Sequence, residues 1–203
     1  MAKILGIDPS LNCLGWFLFD SNKFKVIDYG YIENKDLAEN EKLLKIYNML
    51  KTVIDTYKID VVGIEQEFYG RNVKTLQKLS RVHGCILLLL AQKNIPYTYY
   101  SVATLKSKTL QGMKTKDSKG KKKTAKQVKQ EVANKIFDIF GRHNFIKDIT
   151  DDVTDAASAA ITYYLMDGKS TDEFDKNKTT NNAILLNNYK RINKLAKKDI
   201  YEI

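Results

Sequence analysis

Two short apolar segments of this chain each end in a carboxylate, and this pattern restricts the fold more than any other feature. The first is Lys3–Asp8 (KILGID) and the second is Asp60–Glu65 (DVVGIE). Apolar segments of this length, without polar alternation, are typical of strands that are buried on both faces of a sheet. Because functional residues of such sheets lie at the carboxyl ends of central strands, we expect Asp8 and Glu65 at one edge of the sheet.

The rest of the chain predicts an α/β fold, in which a five-stranded mixed sheet is flanked by helices. Short turns between the first three strands favour an antiparallel meander, and the longer later connections favour βα units. The predicted strands are Lys3–Ile7, Leu14–Phe19, Lys25–Ile32, Asp60–Glu65 and Pro96–Tyr100. Apolar residues at helical spacing predict helices over Leu37–Tyr57, Val73–Lys93, Ala103–Leu110, Thr124–Phe140 and Asp151–Met166.

Two further acids open the last predicted helix. Asp152 and Asp155 are three residues apart and therefore lie on one face of a helix, although Asp151 competes with Asp152 for that role. Any one of these acids alone is explained as a turn residue, a strand-end charge or a helix N-terminal acid. Their joint occurrence with Asp8 and Glu65 predicts a site for hard divalent cations such as Mg²⁺, which prefer oxygen ligands.

The net charge of +10 predicts a polyanionic partner, with solubility alone as the other interpretation. Phosphate binding by such a surface would weaken steeply with salt. Residues 114–126 hold seven lysines and one acid, which is typical of a loop that is either merely solvated or in contact with phosphates. We expect phosphate contacts and assign them to Lys114, Lys116, Lys121, Lys122, Lys123 and Lys126.

Three segments carry a resemblance to a known family. Ile4–Ser10 (ILGIDPS), Val62–Gln66 (VGIEQ) with Phe68 following, and Asp152–Ala157 (DVTDAA) are similar to the three acidic motifs of RuvC-type Holliday junction resolvases. The resemblance covers about residues 3–166 and implies an RNase H-like fold. Ser10 and His83 stand where the family often has glycine and arginine, which fits a phage-encoded member.

The resemblance also implies an activity. A homodimer would bind a four-way DNA junction, and each subunit would nick one strand, in symmetric positions, with two Mg²⁺ or Mn²⁺ ions. Helix Val73–Lys93 would form much of the subunit contact. A branch-migration motor works with bacterial resolvases of this type, and no residue here indicates a surface for one.

Individual roles follow by position. Asp8, Glu65, Asp152 and Asp155 become the metal ligands, and Lys106 matches a lysine near the scissile phosphate. Phe68, with Tyr69 and Arg71 beside it, is expected either to contact bases at the junction centre or to pack in the core. A second active-site lysine stays unassigned among Lys121, Lys122, Lys123 and Lys126.

We expect residues 1–167 to form the catalytic domain and residues 168–203 to form a basic, partly helical C-terminal extension. No secretory leader or membrane span is expected, which predicts a cytoplasmic protein of a bacterium or a phage-infected cell. Cys13 and Cys85 are expected to be reduced, buried and inert. Three other functions stay open: a nuclease of the same fold acting on RNA–DNA hybrids, forks or flaps, a branched-DNA-binding protein that does not cut, and an actin-like phosphotransferase.

Overall fold

The computed structural model describes residues 2–66, 73–110, 121, 123–141 and 149–166. Its elements, in chain order, are β1 (Lys3–Asp8), β2 (Cys13–Asp20), β3 (Lys25–Glu33), α1 (Glu39–Tyr57), β4 (Val61–Glu65), α2 (Val73–Lys93), β5 (Tyr97–Tyr100), α3 (Val102–Thr109), α4 (Ala125–Phe140) and α5 (Asp151–Met166). Every strand and helix predicted within these residues is confirmed, and no boundary differs by more than two residues, whereas the partly helical extension predicted over residues 168–203 lies outside them. Among the helices of these residues, none combines the length and the apolar character needed to cross a bilayer.

The five strands form one mixed sheet in the order β3-β2-β1-β4-β5. The short turns join β1, β2 and β3 as the expected antiparallel meander. Helices α1 and α2 are the crossovers that make β1, β4 and β5 parallel to one another. The register pairs Ile7 of β1 with Ile64 of β4, so Asp8 and Glu65 are the next residue of each strand. The sheet therefore brings both acids to one edge, as the sequence predicted.

The two faces of the sheet are packed differently. Because side chains alternate along a strand, neighbouring residues of β1 belong to opposite faces. The aliphatic face packs against α1 and α2 and is made of Leu5, Ile7, Leu14, Trp16, Leu18, Ile32, Val62 and Ile64. The α5 face packs against α4 and α5 through Ile4, Phe17, Phe19 and Val26, which meet alanines of α5.

Three glycines of the α5 face let helix α5 lie against the strand backbone. An ideal Cβ atom on Gly15 of β2 would be 2.1 Å from the Asp152 carbonyl oxygen, and one on Gly6 of β1 would be 1.9 Å from the Ala156 carbonyl oxygen. The same atom on Gly63 of β4 would be 2.6 Å from the carbonyl oxygen of Ala159. Any larger residue would push the helix away, because the clashing atoms are backbone. Helix α5 thus crosses the sheet from β2 over β1 to β4.

Candidate active site

The four predicted acids meet where α5 crosses the carboxyl ends of β1 and β4. Asp8 shares its face with Gly6, and Glu65 shares its face with Gly63, because each pair is two residues apart on a strand. Both side chains therefore lie on the α5 face. The glycine contacts place the first turn of α5 over β2, and Asp155 immediately precedes Ala156, which lies over β1.

The surroundings of Asp8 disfavour its ionised form. Burial raises the pKa of its carboxyl well above the usual range, and the charges of Glu65, Asp155 and Asp152 raise it further, in that order. Lys129 opposes this shift. An ionised carboxylate that is disfavoured by burial and by three other acids needs a compensating positive charge. Carboxyl groups with pKa values raised in this way are common at functional sites.

The pKa values of Glu65 and Asp155 are raised, as that of Asp8 is. Burial raises the pKa of Glu65 to about 7, with a further contribution from Asp155. Burial also raises the pKa of Asp155, against the effects of Lys129 and Lys106. Asp152 influences Asp8 and Asp155 but is absent from the causes of the shift at Glu65. This agrees with the path of α5, in which Asp152 lies toward β2 and Asp155 lies toward β4.

Asp151 and Asp152 are adjacent in the first turn of α5, but their side chains have different partners. Asp151 forms an ion pair with Lys129 of α4, with 3.0 Å between Oδ2 and Nζ, and its side chain is 60% exposed. Asp152 is half-buried and its charge raises the pKa of Asp8, while Asp151 and Asp152 both raise the pKa of Asp155. Thr150 precedes the helix and caps it, since its Oγ1 accepts a hydrogen bond from the Val153 N–H at 3.4 Å. This arrangement favours Asp152 as the ligand and gives Asp151 a different role.

Two lysines supply positive charge to the acids. Lys106 lies on α3, whose start is capped by Ser101, and it lowers the pKa of both Glu65 and Asp155. Lys129 acts on Asp8, Glu65 and Asp155. The structure therefore brings the predicted Lys106 to the acids and adds a lysine that the sequence analysis did not name.

A signal for Lys129 was present in the sequence. It precedes Val132 by three residues and Ile136 by seven, and both of these residues are buried against α5. Positions at this spacing share one face of a helix, so Lys129 lies at the exposed end of the face of α4 that packs against α5. A lysine at that end of the face is placed near the acids that open α5, whereas the lysines named from the sequence precede α4 or lie in its first turn.

The other predicted DNA contacts have different outcomes. Lys123 is paired with Glu131 at 2.5 Å and its side chain is only 12% exposed, so its charge is already compensated within the protein. Lys121 and Lys126 are exposed. Phe68, Tyr69, Arg71, Lys114, Lys116, Lys122 and the extension 168–203 lie outside the described residues.

Cys13 also reaches the site. Its Sγ donates a hydrogen bond to Oδ2 of Asp152 at 3.2 Å. Burial raises the pKa of the Cys13 thiol to about 12, and the hydrogen bond and charge of Asp152 add to this. The expectation that both cysteines are buried was wrong, because Cys13 and Cys85 are each only partly covered. Both are free thiols.

The chemistry of the acids fits a hard divalent cation. All the candidate ligands are carboxylate oxygens, which Mg²⁺ and Mn²⁺ prefer, and the pKa of Asp8 is raised by burial first and then by the charges of the three other acids. Within the described residues, however, no three His, Cys, Asp or Glu side chains already stand close enough together to hold a metal ion. The backbone thus brings the acids together, and their side chains would have to converge further to share a cation.

Comparisons with known proteins point in one direction. Residues 4–163 match the family model described as crossover junction endodeoxyribonuclease RuvC. The protein of that name from Caldicellulosiruptor saccharolyticus is 30% identical over 167 residues, which cover 80% of this chain and 92% of that protein. The one from Treponema denticola is 30% identical over 164 residues, covering 78% of this chain and 83% of that protein.

Solved structures agree in fold. Thermus thermophilus RuvC, in complex with a Holliday junction substrate, has a TM-score of 0.65 at 18% identity, over 80% of this chain and 92% of that chain. The yeast mitochondrial Holliday junction resolvase Ydc2 has a TM-score of 0.53 at 14% identity, over 97% of this chain and 84% of that chain. At these identities the likeness establishes the fold alone, and that fold is the RNase H-like fold that the sequence predicted.

Proposed function

This chain belongs to the RuvC family of crossover junction endodeoxyribonucleases, and from that premise we propose that it resolves four-way DNA junctions by metal-dependent hydrolysis of paired phosphodiester bonds. One observation supports this most directly: Asp8 lies partly buried on the α5 face, and the charges of Glu65, Asp155 and Asp152 all raise its pKa. Acids gathered in this way are costly unless a cation joins them. A protein with a net charge of +10 is suited to deliver a polyanion to such a site.

We assign Asp8, Glu65, Asp152 and Asp155 as ligands of divalent cations, Mg²⁺ or Mn²⁺, with two ions per site. When bound, such ions stabilise charge on the attacking and leaving oxygens of the phosphodiester and lower the pKa of an attacking water. The contribution of the protein is the placement of the carboxylates: two come from adjacent strand ends and two from one turn of α5. Glu65 and Asp155 lie on the side of the site where Lys106 acts, and Asp152 lies on the side of β2.

Lys106 and Lys129 are the cations that we expect to contact the scissile phosphate. Both are in electrostatic range of the acids, and both lie on helices that pack beside α5. A lysine that neutralises a non-bridging phosphate oxygen favours binding and offsets the charge that develops during attack. In this proposal Asp151 keeps Lys129 at the edge of the site, through their ion pair, until phosphate replaces it.

The test is cleavage of end-labelled synthetic four-way junctions beside a linear duplex, a fork and an RNA–DNA hybrid of matched length. We expect paired, symmetric nicks in the junction that need Mg²⁺ or Mn²⁺, and a loss of at least about 100-fold in rate for Glu65→Gln with junction binding retained. Asp138→Asn, at an exposed position of α4, is the matched control and should cut at the native rate. Preferential cutting of the fork or the hybrid would show that this DNA, and not the four-way junction, is the substrate. Tight junction binding without cutting would show that the protein binds branched DNA but is not a nuclease.

We further propose that the chain acts as a homodimer, since two matched nicks in a nearly two-fold symmetric junction require two sites. Leu88 of α2 and Leu44 of α1 are 57% and 61% exposed. They flank the place where the two helices meet, marked by the Sγ of Cys85 lying 3.6 Å from the Leu43 carbonyl oxygen. Exposed apolar side chains on adjacent helices suit a subunit contact.

Sedimentation equilibrium tests the dimer. The native protein should sediment as a dimer and Leu88→Glu as a monomer, with Lys51→Glu, on the exposed surface of α1, as the control. A native protein that remains monomeric at high concentration would remove this part of the proposal.

A further inference from the structure

The connection from β1 to β2 is anchored unusually firmly for a short loop. The Asn34 N–H donates to the Asn12 carbonyl oxygen at 2.8 Å, and its side-chain amide donates to the Leu11 carbonyl oxygen at 3.3 Å. Asn34 is almost fully buried, with 2% exposure. Lys42 of α1 donates to the side-chain oxygen of Asn12 at 2.7 Å. The loop that follows Asp8 is therefore held from two directions, by the end of β3 and by α1.

This anchored loop delivers Cys13 to the start of α5. Cys13 opens β2, pairs with Glu33 of β3, and lies on the same face as Gly15, over which the first turn of α5 passes. Its N–H also donates to Oγ of Ser10 at 3.4 Å. Its thiol is then within 3.2 Å of Oδ2 of Asp152. The contact joins residues 139 positions apart, so it depends on the tertiary packing of α5 on β2.

Asp152 is the acid that needs such a partner most. Asp8 and Glu65 extend from strands that are paired on both sides, which limits their backbone freedom. Asp152 lies in the first turn of a helix, where its side chain is half-exposed and can rotate toward solvent. A carboxylate has two oxygens, so Oδ2 can accept the hydrogen bond from the thiol while Oδ1 stays available to a cation.

We propose that Cys13 is a positioning residue, which restricts the Asp152 carboxylate to one orientation at the start of α5 and so raises the affinity of the site for a divalent cation. This inference rests on the assignment of Asp152 as a ligand in the proposed function. Hydrogen-bond partners of metal ligands typically contribute about 10- to 100-fold in metal affinity, because they reduce the orientations that the ligand loses on binding.

The experiment measures Mn²⁺ binding directly, by the electron paramagnetic resonance signal of free Mn²⁺ at increasing metal, with junction cleavage as a second readout. The variants are Cys13→Ala, which removes the donor, and Cys13→Ser, which keeps one. Cys85→Ala is the matched control, since Cys85 is also a partly covered free thiol but lies on α2, against the aliphatic face. Asp152→Asn tests the ligand assignment itself. Far-ultraviolet circular dichroism and thermal unfolding verify that each variant is folded.

We expect Cys13→Ala to weaken Mn²⁺ binding about tenfold, Cys13→Ser to restore most of that loss, and Cys85→Ala to bind as the native protein does. Junction affinity without metal should be unchanged in all three. Native Mn²⁺ affinity in folded Cys13→Ala, or a Cys13→Ser variant as weak as Cys13→Ala, would overturn the positioning role. Native affinity in Asp152→Asn would instead remove the ligand assignment on which the inference rests, so the two failures are distinguishable.

Discussion

The two faces of the sheet use the same strands for opposite purposes. On the aliphatic face, Ile7 and Ile64 are fully buried and pack against α1 and α2 with other large side chains. On the α5 face, the next residues of the same two strands are Asp8 and Glu65, and the preceding residues of that face are Gly6 and Gly63. One face is filled by large apolar side chains, whereas the other has glycines, which leave room for α5, and two carboxylates.

This difference shows how a small α/β domain can hold charged groups without losing its fold. Buried carboxylates and missing side chains both lower stability, and the α5 face contains both. Large apolar clusters offset such costs, and the aliphatic face supplies one that includes Leu14, Trp16 and Ile46. The faces also differ in their acids. Asp55, on α1, is paired with Lys51 and Lys93, which lower its pKa to about 2, whereas burial raises the pKa of Glu65 to about 7.

The largest expected effect comes from filling the space of the α5 face. Gly6→Val would place a side chain against the backbone of Ala156 and Ala160, which cannot move without moving all of α5. We expect a loss of more than about 4 kcal/mol in the free energy of unfolding, measured with urea. Gly84→Ala, in the exposed part of α2 with nothing within 4 Å, is the control and should stabilise by about 0.5–1 kcal/mol. Equal destabilisation by both would show that the glycine contacts do not distinguish the faces.

Neighbouring substitutions in β1 should have opposite signs. Ile7→Ala removes fully buried apolar volume and should cost about 3 kcal/mol. Asp8→Asn removes a charge that burial and three acids disfavour, and should stabilise the metal-free protein at pH 8 by about 1 kcal/mol. Urea unfolding in the presence of a chelator measures both. A destabilised Asp8→Asn variant would mean that the carboxylate is better compensated than the surrounding acids indicate.

The stability contributions of acids on the two sides of the sheet should also depend on pH in opposite ways. Glu65 has a pKa raised to about 7 in the folded protein, so the folded state binds more protons than the unfolded state between the ordinary pKa of glutamate, 4.5, and 7. The metal-free protein should therefore lose about 2 kcal/mol from this group as the pH rises through that window. Asp55 acts in the opposite sense, and its contribution is lost only as the pH falls toward 2.

Urea unfolding at pH 5 and pH 8, with a chelator present, tests this pH dependence. Glu65→Gln should lose less stability than the native protein between the two values, because it lacks the group that titrates. Parallel losses in both proteins would assign the effect to other residues. Adding Mg²⁺ at pH 8 should recover stability in the native protein more than in the variant.

The smallest effect compares two exposed ion pairs, one on each side of the sheet. Lys129→Met should weaken junction binding by about 1 kcal/mol and reduce the slope of log affinity against log salt by about one. Lys51→Met is the matched control, because Lys51 forms a similarly exposed pair with Asp55, with Nζ and Oδ2 2.8 Å apart. Fluorescence anisotropy of a labelled junction across a salt series measures both. Unchanged slopes for both variants would exclude Lys129 from the phosphate contacts.

Much of the site could be predicted because its residues lie at element boundaries. Asp8 and Glu65 end apolar strands, and such ends meet at one edge of a parallel pair. Asp152 and Asp155 open a helix whose periodicity fixes their common face. Lys106 was assigned through its position in the family, and the structure places it close enough to Glu65 and Asp155 to lower the pKa of both. These predictions depend on local patterns and on the order of elements, both of which are readable along the chain.

Three features could not be predicted in the same way. The separation of Asp151 from Asp152 depends on Lys129 reaching one acid and Cys13 reaching the other, across 22 and 139 positions. The role of Lys129 depends on which helix α4 packs against. The ion pair of Lys123 with Glu131 depends on how the residues before α4 lie against that helix. In each case the tertiary packing decides which residues come into contact.

The sequence alone determined the order of strands and helices, the edge at which the acids lie, and the cationic character of the protein, because these follow from periodicity, chain direction and composition. Only the tertiary structure decided how closely α5 approaches the sheet, which acid carries which partner, and which lysines face the acids. Those features depend on the space left by Gly6, Gly15 and Gly63 and on the burial of charge, and both are properties of the packed chain rather than of any segment of it.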